Sequence, residues 1–447
     1  MTALASPVLV TEPAAGHGER SLRWQRELAA RGAVLLTGLL FAALIIGDRP
    51  FAPDTANKAV IAESGNSFNR AVIFVALAAA CPMILVNLDR AARLLFRNWT
   101  VCALILVSGL SFIWASHPDL VLRRAFAHGL VYLVLLALAT SARSALDWLV
   151  PLAAVFGLVT VLNILAMVAF PASSWSEIGE TGIFDNKNGA GTMAMLAIVV
   201  LGTAIAAGRS NLLRLVLARL MALAWLFLLA TRSKTSIGLT ALMMLAGPAL
   251  YLLLGSAPAV RLAALAGGVA ALAFGTTAFY AAGHNDADLR LLLFGDLTFT
   301  GRTEIWLHLI PEIGRRPWLG HGFGSFWDTG AAINPIRSAP PGAWFMKAQL
   351  INTAHNGYLD LLLQTGIAGF ALGIVAILRC LWLLTGTAAR SQKAQRVALT
   401  GALCVAFCLV LNNFLESYLF RTGDTLGYLF IFLMLHGEAA QLREHPA

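Results

Sequence analysis

The 447 residues are more than half apolar, because 58% are hydrophobic, only 12% are charged, and the mean hydropathy is +0.75. A soluble domain of this length could not bury so much apolar surface in one core, so the composition excludes a soluble enzyme and predicts a polytopic membrane protein. The formal net charge of +9 is consistent with basic loops at a membrane and does not require a nucleic-acid partner.

The amino-terminal segment 1–31 lacks an apolar core followed by a small-residue cleavage site, so we expect a cytoplasmic tail and no cleaved signal peptide. A hydrocarbon core takes about 20 helical residues, and apolar runs of roughly this length predict about twelve transmembrane helices. Their approximate spans are 32–47, 71–88, 99–116, 126–142, 148–171, 189–208, 212–231, 236–256, 259–282, 356–384, 397–415 and 418–436. A short tail, 437–447, follows the last span.

Lysine and arginine in the short loops predict the orientation. The loops on the side of the amino terminus are richer in these residues, so that side should be cytoplasmic. An even number of spans then places both termini in the cytoplasm. The long segment of about 283–355, between the ninth and tenth spans, should lie in the periplasm.

We expect neither a disulfide nor a metal site. The cysteines fall inside apolar spans, where they should act as small packing residues: Cys81, Cys102, Cys380, Cys404 and Cys408. Asp286 and Asp288 have a spacing that some sugar-nucleotide transferases use for a divalent metal, but two aspartates in a polar loop are more often solvated.

Within the long segment, "TGRTEIWLHLIPEIGRR" (300–316) predicts a short helix that begins at Gly301 and stops at Gly314. Its apolar stripe suits a membrane surface and contains Ile305, Trp306, Leu309, Ile310 and Ile313. The polar face contains Glu304, His308 and Glu312.

Three cations stand where a cation is unfavourable unless it has a partner. Arg302 lies in the first turn of the predicted helix, where free backbone N–H groups and a guanidinium could converge on a phosphate. Arg232 and Lys234 lie in a tight link between two spans, at the hydrocarbon boundary. The alternatives are a solvated surface arginine for Arg302 and snorkelling to lipid headgroups for the other two.

His355 stands at the entrance of a long apolar run. An imidazole can accept a proton near neutral pH, and Asn356, Tyr358 and Asp360 are close enough in sequence to orient a substrate or the ring. A histidine at a helix entrance is otherwise an ordinary interfacial residue. The combination with the external cations favours a catalytic role.

Short motifs occur in a specific order along the chain. They are "TGIFDNKNGAG" (181–191), "ATRSKTSIGL" (230–239), "GRTEIW" (301–306), "RPWLGHGFGSFW" (316–327) and "TAHNGYLDLLLQTGIAG" (353–369). With the predicted spans and the large external loop, they resemble the O-antigen ligase and Wzy-type polymerase superfamily. "FDNKNG" and the closing "NNFLESYLFRTGD" (412–424) are most similar to exopolysaccharide polymerases of the ExoQ kind.

The resemblance implies a GT-C-type glycosyltransferase architecture in the bacterial inner membrane, with the active site on the periplasmic side. The donor would be an oligosaccharide on undecaprenyl diphosphate and the acceptor another glycan. No cofactor or metal would be needed. A flippase and a chain-length co-polymerase would be protein partners.

Transferred by motif, Arg232 and Arg302 would bind the diphosphate and His355 would accept the proton. Where this chain has "RSKT", members of the family often have other small or polar residues after the arginine, so Lys234 could share or take over the role of Arg232, and the choice between them stays open. Further substrate contacts are expected from Lys187, Asn188, Asn356, Tyr358, Glu416 and Arg421.

Two alternative functions remain. A ligase would use the same donor but transfer the glycan to a lipid A core or another acceptor, which no residue identifies. A transporter or flippase would show two related halves and polar groups near the bilayer midplane. Because the polar groups cluster at the external ends and no repeat is evident, the sequence favours the enzyme.

Overall fold

The computed structural model describes residues 17–47, 51, 66–208, 210–285, 288, 301–327, 352–421 and 423–444. A small antiparallel hairpin joins β1 (Trp175–Ser176) to β2 (Gly179–Glu180). The helices that carry the fold are α1 His17–Ile46, α2 Ser67–Val86, α3 Leu88–Arg97, α4 Trp99–Leu110, α5 Pro118–Ser141, α6 Leu149–Ala169, α7 Lys187–Ala207, α8 Asn211–Thr231, α9 Lys234–Leu254, α10 Pro258–Ala281, α11 Arg302–Arg315, α12 Gly357–Arg390, α13 Lys393–Asn412 and α14 Thr425–Glu444.

These helices form a membrane protein. In the described part of the chain, 11 of them are long and apolar enough to cross a membrane, or up to 12 if the bent pair α3 and α4 makes one span. The prediction of an all-α polytopic membrane protein is therefore confirmed, with the small hairpin as an addition that the sequence did not indicate.

The predicted third span, 99–116, is shorter than expected and belongs to a bent pair. The axes of α3 and α4 differ by 75°, and the break lies at Asn98. Helix α3 carries an arginine on each turn together with exposed Leu95 and Phe96. Such a helix is suited to the membrane interface, where arginine reaches water and the apolar side chains reach lipid.

Helix α7 forms the centre of the bundle, where it packs against α6, α8, α9 and α13. Small residues allow these helices to approach closely, because a Cβ added at Gly401 of α13 would lie 2.3 Å from the Thr203 Cγ2 of α7. Most of α7 is buried. The packing therefore fixes its amino-terminal end, which carries Lys187 and Asn188.

The cysteines show a mixed outcome. All are free; Cys380, Cys404 and Cys408 are buried packing residues, as expected, whereas Cys81 is exposed on α2. Of the aspartate pair in the long segment, Asp286 lies outside the described residues. Within the described residues there is no group of three or more potential metal ligands.

Helix α12 is interrupted, although the sequence predicts one uninterrupted span over 356–384. Gly366 has φ 63° and ψ −168°, and segment 317–322 inserts its backbone at this break. Ile367 N donates to Pro317 O (2.8 Å), and His321 N donates to Leu363 O (2.9 Å). A Cβ at Gly366 would lie 2.3 Å from the Trp318 carbonyl carbon, so glycine permits both the conformation and the approach.

Helix α11 confirms the short external helix, which follows Gly301 in a left-handed conformation. Part of its apolar stripe packs on protein, since Ile305 and Leu309 are buried against Leu363 of α12, whereas Ile310 is exposed. Glu312, predicted on the polar face, is also buried and pairs with Arg315. The sequence could not show this, because the covering segment follows the helix.

The last membrane helix, α14, begins at Thr425 rather than near 418 as predicted. Residues 413–421 form a compact connection between α13 and α14. Asn413 Oδ1 accepts hydrogen bonds from the amides of Tyr418 and Leu419 (3.1 and 3.0 Å). The connection is itself rich in leucine and aromatic residues, so hydropathy could not separate it from the span.

Candidate active site

Glu416 is the centre of a polar cluster between α7, α11 and α12. Its Oε1 accepts hydrogen bonds from Arg302 Nη2 at 2.6 Å and from Asn188 Nδ2 at 2.9 Å. Its Oε2 lies 3.1 Å from His355 Nδ1. The Glu416 and Arg302 side chains are each only 12% exposed, so the ion pair is largely shielded from solvent. Residues from three separate motifs thus meet at the carboxylate of a fourth.

The amino-terminal ends of several helices meet at this cluster. Asn188 belongs to the first turn of α7, Arg302 begins α11, and His355 immediately precedes the cap of α12. Helix amino termini carry partial positive charge and unpaired N–H groups, and both favour a bound anion. The arrangement is therefore suited to an anionic ligand with several oxygen atoms.

Lys187 belongs to a cationic cluster beside Glu416. The residues within its electrostatic range are Lys234, Arg232 and Arg302. Lys187 Nζ donates to Ile178 O (3.2 Å). Among the described residues, no carboxylate lies within ion-pair distance of Lys187, Arg232 or Lys234. The cations outnumber the single carboxylate at their centre, and the excess positive charge would be neutralised by an anionic substrate.

The tight link between α8 and α9 is held by close backbone contacts. Arg232 has φ 54°, which is uncommon for a residue with a side chain. Gly179 of the hairpin lies so close that a Cβ there would be 2.2 Å from Thr231 O, and a Cβ at Gly191 would be 2.6 Å from Ser233 Cβ. The Arg232 guanidinium stacks over Trp175, 5.3 Å from the ring centroid. The hairpin thus orients an otherwise exposed cation.

His355 also has a left-handed backbone, with φ 46°. Hydrogen bonds fix each neighbouring peptide: Ala354 N donates to Asp360 Oδ2 (3.0 Å), His355 N to Thr353 Oγ1 (3.2 Å) and Asn356 N to Ser417 Oγ (3.1 Å). A strained residue held by so many contacts is typical of functional sites. The turn directs the half-buried imidazole toward Glu416.

Asp360 stabilises the turn at His355 through hydrogen bonds to its carboxylate. Its carboxylate accepts hydrogen bonds from Trp327 Nε1 (2.6 Å) and Ala354 N (3.0 Å), and it is only 3% exposed. Trp306 Nε1 donates to Ala354 O (2.9 Å), which ties α11 to the same turn. The sequence placed Asp360 near His355, but no pattern pointed to Trp327 or Ser417 as supporting residues.

Three residues expected to contact substrate have hydrogen-bond partners within the protein. Asn356 Oδ1 caps α12 by accepting from Tyr358 N and Leu359 N, both at 3.1 Å. Tyr358 Oη donates to Val410 O at 2.8 Å. Arg421 Nη2 donates to Asn352 O at 3.2 Å and lines a small cavity with Asp360 behind His355. These hydrogen bonds stabilise the backbone around the site, and none of them is to Lys187, Arg232, Lys234 or Arg302.

Comparison with known families decides the broad assignment. Residues 189–374 match the O-antigen ligase family. This segment is therefore similar to the O-antigen ligase domain of the Wzy-type superfamily. The segment includes Arg232, Arg302 and His355, whereas Glu416 lies beyond the matched residues. A search of curated proteins found no match. The similarity to ExoQ-type polymerases stays a prediction.

Proposed function

We propose that this protein is a membrane glycosyltransferase that polymerises oligosaccharide repeats carried on undecaprenyl diphosphate. The observation that carries the proposal is the convergence of helix amino termini, a histidine and several cations around Glu416, of which Lys187, Arg232 and Lys234 have no carboxylate partner among the described residues. In this proposal the site faces the periplasm across a bacterial inner membrane, with both chain termini in the cytoplasm. A flippase that supplies the donor and a chain-length co-polymerase remain proposed partners.

The cations would stabilise the leaving group. Undecaprenyl diphosphate gains negative charge as the glycosidic bond to it breaks, and fixed donors aimed at that charge lower the barrier. Arg302 uses Nη2 for Glu416, and its Nη1 and Nε, which have no hydrogen-bond partner among the described residues, would bind a phosphate oxygen. Arg232 and Lys234 have no carboxylate partner among the described residues, and Lys187 adds a further charge. Both Arg232 and Lys234 therefore have a place in the proposed diphosphate site.

His355 would activate the acceptor. Glu416 accepts from Nδ1–H, which leaves the Nε2 lone pair free to take a proton from a sugar hydroxyl. The hydroxyl oxygen forms a bond to the anomeric carbon while the bond from that carbon to the diphosphate breaks. The proton moves to Nε2, undecaprenyl diphosphate leaves, and a single displacement inverts the anomeric centre. Glu416 then stabilises the imidazolium.

Ligation is the second candidate, because the matched family is described as O-antigen ligase. A ligase would use the same diphosphate site and the same base, and it would differ only in transferring the glycan to a lipid A core or another acceptor. Transport of a lipid-linked sugar is less consistent with the site, since the cations belong to helix ends rather than to broken helices at the bilayer midplane.

The test combines cells with purified protein. In a deletion strain, polymerase function predicts the loss of long chains while single lipid-linked repeats accumulate; loss only of glycan on another acceptor would instead indicate a ligase. In vitro, His355→Ala and His355→Gln should retain donor affinity but lose turnover by about 10²–10⁴-fold. Normal turnover in both variants would remove the histidine from the mechanism.

A further inference from the structure

A second concentration of charge lies at the opposite end of the bundle from Glu416. Helix α14 begins beside the Glu416 cluster and ends where it meets α3 and α5. There Arg443 Nη1 donates to Ala142 O, and Arg97 Nη2 donates to Gln441 Oε1, both at 2.8 Å. The end of α14 is thus fixed to both helices by cationic side chains.

The buried carboxylate at this end has two arginines beside it, although its Oε2 accepts no hydrogen bond from the described residues. Glu438 is fully buried and accepts two hydrogen bonds from Arg379, at 2.9 and 2.6 Å. Arg97 lies 3.8 Å from its second oxygen. Two arginines therefore balance one carboxylate, which has no capacity to neutralise a further guanidinium.

His436 of α14 and Arg90 of α3 each have buried polar atoms without a hydrogen-bond partner in the described part of the chain. His436 is 5% exposed, and neither ring nitrogen has a hydrogen-bond partner among the described residues. Arg90 Nη2 is buried and lacks a partner in the same part of the chain. Both Arg90 and Arg443 are within electrostatic range of His436. Buried polar atoms are nearly always hydrogen-bonded, so the orphaned atoms point to a ligand.

The charge of this cluster selects the ligand chemistry. Arg26 and Arg93 add positive charge around Arg90, and no described carboxylate lies within ion-pair distance of Arg90 or His436. Water could satisfy the hydrogen bonds but could not neutralise this charge. A phosphate group does both, because it accepts several hydrogen bonds and is anionic.

The position of α3 points to a lipid source. The helix exposes Leu88, Leu95 and Phe96 beside its arginines, which is typical of a helix at the depth of lipid headgroups. We propose that Arg90 and His436, in the positive field of Arg443, bind the phosphate group of one anionic phospholipid between α3 and α14. The site is separate from the proposed catalytic centre and does not depend on it.

The test uses the full chain, purified and stripped of lipid, with native mass spectrometry during titration by phosphatidylglycerol or phosphatidylcholine. We expect one phosphatidylglycerol to bind more tightly than phosphatidylcholine, whose choline the arginines repel. Arg90→Gln should weaken that binding by about tenfold or more. Arg214→Gln is the matched control, because Arg214 is an exposed arginine on α8, which packs on α6 and α7 instead.

Competition with millimolar inorganic phosphate distinguishes the sources. If phosphatidylglycerol stays bound in the presence of inorganic phosphate, the site is a lipid site. If inorganic phosphate displaces the lipid, the same residues form a site for free phosphate. Arg90→Lys keeps the positive charge and should bind phosphatidylglycerol with intermediate affinity. This variant still tests the proposal if Arg90→Gln does not fold. Equal loss in the Arg90 and Arg214 variants, or no preference between the two lipids, would overturn the proposal.

Discussion

His355 Nδ1 lies 3.1 Å from Glu416 Oε2, while Oε1 of the same carboxylate accepts a hydrogen bond from Arg302. One side chain therefore links the proposed proton acceptor to the proposed diphosphate ligand. A carboxylate beside Nδ1 favours the tautomer with its proton on that nitrogen and stabilises the imidazolium that forms later. Glu416, which the sequence analysis expected to contact substrate, is therefore proposed to orient His355 and Arg302.

Glu416→Gln tests that role. The amide keeps a hydrogen-bond acceptor but loses the negative charge, and its NH₂ group can hold the imidazole in the wrong tautomer. We expect turnover to fall by about 10²-fold or more with donor binding largely kept. Steady-state kinetics of purified protein would separate kcat from KM. Glu312→Gln, which changes another buried carboxylate, is the control. An equal loss of turnover in both variants would show that Glu416 has no specific role in catalysis.

Arg302→Lys tests the guanidinium fork. Lysine keeps the positive charge but cannot reach Glu416 and a phosphate oxygen together, so we expect a severe loss of chain formation in an abundant, inserted protein. Gel analysis of polysaccharide length and immunoblotting of membranes would measure both. Arg316→Lys is the matched control, since Arg316 is exposed and donates to Trp114 O at 2.8 Å. Wild-type chain length in Arg302→Lys would show that the guanidinium fork is not needed for the reaction.

Gly357→Ala tests the junction between α12 and the connection that carries Glu416. Gly357 N donates to Asn413 O and Glu416 O at 2.8 and 3.0 Å, and an added Cβ would lie 2.1 Å from Asn413 Oδ1. We expect the displaced connection to reduce activity and lower the thermal unfolding midpoint. Gly386→Ala, in the same helix but with its nearest neighbour at 3.6 Å, should do neither. Unchanged activity in Gly357→Ala would show that the junction tolerates the shift.

Asp424→Asn tests a buried carboxyl before α14. Burial raises the pKa of Asp424 to about 6, although Arg421 opposes the shift. Because the folded-state pKa exceeds the unfolded value of about 4, the folded state holds the proton more tightly. The resulting stabilisation is complete below pH about 4 and is lost as the pH rises to about 6.

Asparagine cannot ionise, yet it can still accept the amide hydrogen bonds from Leu426 and Gly427. Asp424→Asn should therefore raise the thermal midpoint at pH 7 and weaken its decline between pH 4 and 6, as measured by unfolding in detergent. Asp147→Asn controls for the loss of a capping carboxylate, since Asp147 accepts from Arg143 N and Ser144 N. A midpoint lowered at pH 7 by Asp424→Asn would contradict the shift.

Single cysteines test the orientation. In a background without the native cysteines, Gly330→Cys should react with an impermeant thiol reagent added from the periplasm, whereas Gln392→Cys should react only after the membrane is opened. Gln392 caps α13 at the end of the bundle far from Glu416. The reverse labelling pattern would invert the proposed topology and place the site on the other side.

The sequence by itself determined the class of protein and the approximate positions of most of its spans. Apolar runs of membrane length must form helices, because unpaired backbone groups are too costly in hydrocarbon. The helix Arg302–Arg315 was also predictable, since Gly301 and a local apolar period mark it. Arg232, Lys234 and His355 could be singled out because charged or titratable groups at a membrane boundary require a reason.

Only the tertiary structure decided how these residues combine. The hydrogen bonds from Asn188, Arg302 and His355 to Glu416 join distant parts of the chain, and no local period encodes such contacts. The break in α12 at Gly366 likewise depends on a segment that inserts from elsewhere. Hydropathy reports how each residue partitions into lipid, whereas the partner of a polar group is fixed by the packing of helices against one another.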